Sequence, residues 1–129
     1  MLTTPNLLRS LALVLLCSCL GACQTSIKPV YTVRVVNDSR TTIVAAIEHH
    51  QNFSEPSPLE TATIAPGDET TLGPIEMPPL ERIYFMASSR SDMETDPFRQ
   101  KIRRGSYSAT ISTGGVSSWR PYEVFLTSD

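Results

Sequence analysis

From Val30 onward the chain is a succession of short apolar runs separated by turn-forming residues. Tyr31, Val33 and Val35 alternate with Thr32 and Arg34. That period of two is the signature of a strand buried on one face. Asn37-Asp38-Ser39-Arg40 follows as a turn, because Asn and Asp side chains bond their own backbone and tolerate positive φ. Ile43, Ala45 and Ile47 mark a second strand, and the two strands are expected to form a hairpin about the turn.

Gln51 to Pro58 reads as a loop, its two prolines withholding ladder donors. Ala62 and Ile64 mark a third strand that Pro66-Gly67-Asp68 stops. Thr70 to Met77 resumes extended structure, where Gly73-Pro74 signals an edge or a bulge. Ile83 to Ala87 is the most apolar run and is expected to be a central strand, buried on both faces. Ser88 to Pro97 is expected to be a polar, acidic loop. Phe98 to Arg103, Tyr107 to Thr113 and the Tyr122, Val124, Leu126 alternation complete the series. About seven short strands at roughly ten-residue spacing, with no helical period, predict an all-β fold, a small immunoglobulin-like β-sandwich. The paired cysteines of antibody domains are absent, so the likeness is one of architecture.

The first 23 residues follow a different logic. Arg9 is the only basic side chain ahead of an apolar run from Leu11 to Leu20, with Leu11 to Leu16 uninterrupted. That run matches the apolar region of a signal peptide and is too short to span a bilayer. Leu20-Gly21-Ala22-Cys23 then resembles the lipobox of bacterial lipoproteins, in which a leucine and two small residues precede an acylated cysteine. The resemblance implies a thioether-linked diacylglycerol on Cys23 and cleavage between Ala22 and Cys23. It covers the export segment alone and implies nothing about the mature fold. Buried acyl chains contribute about 0.8 kcal/mol per CH₂, so two or three of them make the attachment effectively permanent. Gln24 in place of the aspartate that retains enterobacterial lipoproteins at the inner membrane is compatible with export to the outer membrane.

The expected organisation is therefore residues 1–22 as lipoprotein signal peptide, 23–29 as acylated cysteine and short tether, and 30–129 as the sandwich. All three cysteines, at 17, 19 and 23, lie at or before the proposed cleavage point, so the domain must fold on its packed core without disulfides. Removing 22 of the 129 residues leaves 107, enough for one core. Residues 24–29 reach about 20 Å when extended, which keeps the domain close to the membrane. With 40% hydrophobic and 19% charged residues the chain is not a disordered one. A net charge of −2 and a pI near 5.6 argue against nucleic acid as a partner.

Candidate chemistry is sparse. His49 and His50 are the only histidines and are weak candidates for metal. Neighbours on a strand point to opposite faces, so the pair does not readily share an ion. Asp92, Glu94 and Asp96 open like a calcium loop, but Pro97 and Arg103 stand where an EF-hand requires glycine and glutamate. Arg99, Lys101 and Arg103, with Arg104 beside them, suggest either an edge strand guarded by charge or a patch for anionic lipid headgroups. Trp119, Tyr122 and Phe125 are aromatic candidates for a partner or a sugar. No nucleophile elbow, phosphate loop or dinucleotide fingerprint is present, so neither catalysis nor a cofactor is expected. The sequence points to a lipid-anchored lipoprotein of the cell envelope, at the outer membrane facing the periplasm. Its partners would be the membrane, through Cys23, and an envelope protein. The alternative is a lipoprotein that binds a small carbohydrate or metal ligand.

Overall fold

The computed structural model describes residues 28–90, 97–114 and 122–129. They form eight strands and no helix: β1 (Val30–Asp38), β2 (Ile43–His50), β3 (Ser57–Ile64), β4 (Glu69–Glu76), β5 (Arg82–Ser89), β6 (Phe98–Ile102), β7 (Gly105–Thr113) and β8 (Tyr122–Ser128). Two four-stranded sheets result, ordered β4-β1-β7-β8 and β3-β2-β5-β6. All pairings are antiparallel except β1 with β7, which run parallel.

The sheets face one another across a single core. Tyr31, Val33, Val35, Leu72, Ala109, Ile111 and Tyr122 come from the first sheet, and Ile43, Ala45, Ile47, Ile64, Ile83, Phe85, Ala87 and Ile102 from the second. This is the β-sandwich expected from strand spacing, with eight strands where about seven were expected. Side-chain alternation explains the first sheet, where β1 buries Tyr31, Val33, Val35 and Asn37 and turns Arg34 outward. In the second sheet β2 is buried at every position from Ile43 to Glu48, and β5 at every position from Phe85 to Ser89. These two are its central strands, as expected for the Ile83 to Ala87 run.

The expected hairpin of the first two strands does not form. β1 and β2 belong to different sheets, and the residues between them carry the chain across the sandwich. Turn chemistry specifies that the chain reverses; it does not specify whether the second strand pairs with the first or stacks over it. Asn37 secures the crossing. Its side-chain amide donates to the carbonyls of Thr41 and Ile64, both at 2.9 Å, and its Oδ1 accepts from Ser39 N at 3.0 Å and Ser39 Oγ at 2.6 Å. Its backbone N–H donates to Asp68 O at 2.9 Å and its carbonyl accepts from Gly67 N at 2.7 Å. One buried residue thereby ties the end of β1 to the start of β2, the end of β3 and the β3–β4 turn.

Two loop boundaries also shift. β3 begins at Ser57 and includes Pro58, inside the stretch expected to be loop. Because β3 pairs only with β2 among the described strands, its proline is tolerated on an edge. Ser88 and Ser89, expected in the loop after the apolar run, are the buried end of β5, with Ser88 Oγ donating to Ser89 O at 2.9 Å. Gly73-Pro74 lies where its chemistry predicts: β4 is an edge strand, its register against β1 shifts between Tyr31 and Val33, and Gly73 takes φ +92°.

Candidate functional site

β6 is the edge strand of the second sheet and carries Arg99 and Lys101 on its outer side. Arg99 does not stand free. Its Nε donates to Glu48 Oε1 at 2.9 Å, joining β6 to β2 across the intervening β5. The Glu48 side chain is 6% exposed, so this carboxylate lies buried on the outer face of the sheet and depends on its cation to offset the cost of desolvation. His50 stacks on Tyr84 with ring centroids 4.0 Å apart. Its buried Nε2 lies 3.6 Å from Glu48 Oε1, beyond hydrogen-bond range, and has no hydrogen-bond partner among the described residues. Lys101, Arg103 and Arg104 are exposed. Arg103 and Arg104 lie past the end of β6, in its connection to β7, so the expected one-faced basic strand is reduced to Arg99 and Lys101. The Arg103 N–H donates to the Tyr107 hydroxyl at 2.9 Å.

The two histidines diverge as strand geometry requires. His49 places Nε2 2.6 Å from Glu81 Oε2, at the start of β5, while His50 stacks on Tyr84 on the outer face. Among the described residues, no three His, Cys, Asp or Glu side chains come together in a group that would hold a metal ion. The Asp92, Glu94, Asp96 motif lies outside the described residues, as do Trp119 and Cys23.

Tyr122 is corrected. It was a candidate for surface contact, yet it is 1% exposed and its hydroxyl donates to Ala87 O at 3.2 Å, a bond from one sheet to the other. The first residue of β8 points into the core, and the alternation of Tyr122, Val124 and Leu126 was the signal that it would. Phe125, of opposite parity, stands 57% exposed on the outer face. Among the described strands β8 pairs only with β7. Phe125 therefore marks an edge that another chain can approach.

A second feature lies at the end of the sandwich where β2 finishes and β5 begins. His50, Gln51, Asn52, Leu80, Glu81 and Arg82 line an open polar hollow of about 260 Å³. Arg82 donates to Asn52 Oδ1 across it. Phe53 and Leu80 project from the two flanking loops, fully exposed and both at positive φ, 61° and 67°. Bulky side chains rarely occupy this region, so nothing in local propensity announces these positions in the sequence. At the same end, burial raises the Tyr31 phenol above its usual range. Nearby Tyr107 and Glu81 add to the shift and Arg104 opposes it.

These elements provide an edge, an outer face and a loop end for contact. The chain matches no protein-family model, no curated protein and no solved structure.

Proposed function

We propose that the protein is a lipoprotein of a bacterial cell envelope, acylated at Cys23, whose sandwich serves as a binding or structural subunit through contact with another envelope protein. The observation that carries the contact is the β8 edge, with Phe125 exposed on a strand whose other large apolar side chains, Tyr122, Val124 and Leu126, face the core. From Val124 to Ser128 this edge, bordered by no second strand among the described residues, can take an incoming strand, and the exposed aromatic there supplies an apolar anchor. The opposite edge of the same sheet is interrupted by Gly73-Pro74, β3 carries Pro58 and Glu60, and β6 is short and charged, so among the described edges β8 is the least defended against pairing. The leader, with its Leu20-Gly21-Ala22-Cys23 sequence, supports attachment to a membrane, and Gln24 supports the outer membrane, with the domain facing the periplasm.

The test is photo-crosslinking in intact cells, with a benzophenone side chain placed at Phe125 or at exposed Thr71 on the far edge. A discrete adduct from position 125 alone supports the reading. The same adducts from both positions, or none from 125, overturn the edge as the contact. A Cys23→Ser variant tests the anchor separately: it should carry no acyl chains and escape cleavage before residue 23.

A further inference from the structure

The large apolar side chains left exposed are not spread evenly. Among the described residues they are Val30, Phe53, Leu59, Leu80 and Phe125. All but Phe125 lie at or next to one end of the sandwich: Val30 opens β1, Leu59 is near the start of β3, and Phe53 and Leu80 occupy the β2–β3 and β4–β5 loops. The chain leading back toward Cys23 leaves from this same end. Met77 N donates to Pro29 O at 3.0 Å, which fixes the approach to β1 beside the loop that bears Leu80.

We propose that this end is a lipid-facing surface, with Phe53 and Leu80 seated among the headgroups of the membrane that holds the anchor. The inference rests on the lipoprotein reading and goes further, because it assigns the domain an orientation. Six residues separate Cys23 from Val30 and reach about 20 Å at most, so this end stays within reach of the bilayer surface. The two side chains are fully exposed and stand on separate loops around a polar hollow. Isolated projections of this kind suit a soft interface better than a protein partner, which would need a complementary pocket for each. The hollow between them stays wetted or takes a headgroup. Lys28, Arg82, Arg103 and Arg104 are exposed at this end, but so are Glu55, Glu60, Glu76 and Asp129. Opposite charges in similar number leave little net attraction, so the apolar tips must provide most of the hold.

The test uses the full chain, produced with its acylation machinery and reconstituted into vesicles of phosphatidylethanolamine and phosphatidylglycerol. Phe53→Cys, Leu80→Cys and Asp68→Cys each receive a nitroxide. With Cys23 acylated, no other thiol remains in the mature chain. Asp68, in the β3–β4 turn, is the reference at the opposite end, a strand length of about 25 Å away. The expected result is a several-fold lower accessibility to an aqueous nickel complex and a higher accessibility to oxygen at positions 53 and 80 than at 68. Intact mass of the same samples reads the acyl chains independently. An acylated chain with all three labels equally open to water overturns the orientation and leaves the lipoprotein reading intact. A chain with a free Cys23 thiol that does not associate with vesicles overturns the lipoprotein reading, and the orientation with it.

Discussion

Replacing Asn37 by alanine removes four side-chain hydrogen bonds at a fully buried position. Each is worth about 1 kcal/mol net, and any partner left buried without water adds its own desolvation cost. The expected loss is therefore about 3–5 kcal/mol, a large part of the roughly 5–15 kcal/mol that stabilises a domain of this size. At about 4–8 °C per kcal/mol, the melting temperature should fall by at least about 12 °C. Asn37→Asp is the sharper probe, because it keeps the shape and the acceptor for Ser39 while turning the donor side into an oxygen that faces the Thr41 and Ile64 carbonyls. Burial beside two carbonyls favours the neutral acid, so the introduced carboxyl has a higher pKa folded than unfolded. The sign follows. Below the unfolded value of about 4 both states are protonated and the penalty is smallest. As pH rises past that value the unfolded state ionises first, and stability relative to wild type is lost until the folded pKa is reached. Urea denaturation of the three proteins between pH 3.5 and 8 measures this directly. A loss below about 1 kcal/mol for Asn37→Ala, or a pH-independent difference for Asn37→Asp, would refute the role given to this residue.

Four other outcomes are expected. Tyr122→Phe should cost about 1 kcal/mol in urea unfolding, for the hydroxyl that reaches Ala87 O, and leave the fold unchanged by circular dichroism. Gly73→Ala should cost at least about 2 kcal/mol, because the added Cβ meets the Tyr31 carbonyl oxygen at a φ of +92° that L-residues avoid. Phe53→Gly and Leu80→Gly should each leave thermal stability within about 1 kcal/mol of wild type, since relief of positive φ offsets the entropy of glycine and no packing is lost; a larger loss would mean these tips support the fold. Tyr31 holds its proton more tightly folded than unfolded, so its contribution is complete below about pH 10 and is lost as pH rises above that value; Tyr31→Phe should flatten this part of the stability profile in alkaline titration.

The amino-acid sequence by itself determined the elements. Alternation in Tyr31, Val33, Val35 and in Tyr122, Val124, Leu126 marked strands and their buried faces, because a pleated strand sends successive side chains to opposite sides wherever it lies. The same rule separated His49 from His50, and the donor that proline lacks marked Gly73-Pro74 as an edge or a bulge. These signals are local, and no distant residue alters them.

Only the tertiary structure decided which strands are neighbours. A turn such as Asn37 to Arg40 serves a hairpin or a crossing between sheets equally well, and the crossing brings Asn37 within hydrogen-bond reach of the Ile64 carbonyl, 27 positions further along the chain. Burial of a serine pair at the end of β5, and of Glu48 beneath Arg99, likewise follows from a central place in the sheet that the chain acquires only once folded. Tyr122 and Phe125 make the point within one strand. Both are aromatic, but one fills the core and bonds the opposite sheet while the other faces outward, because parity sets direction and packing of the two sheets sets which direction is inside. The gathering of Phe53 and Leu80 at the end where β1 begins is of the same kind: two loops far apart in sequence meet because β2 ends where β5 begins.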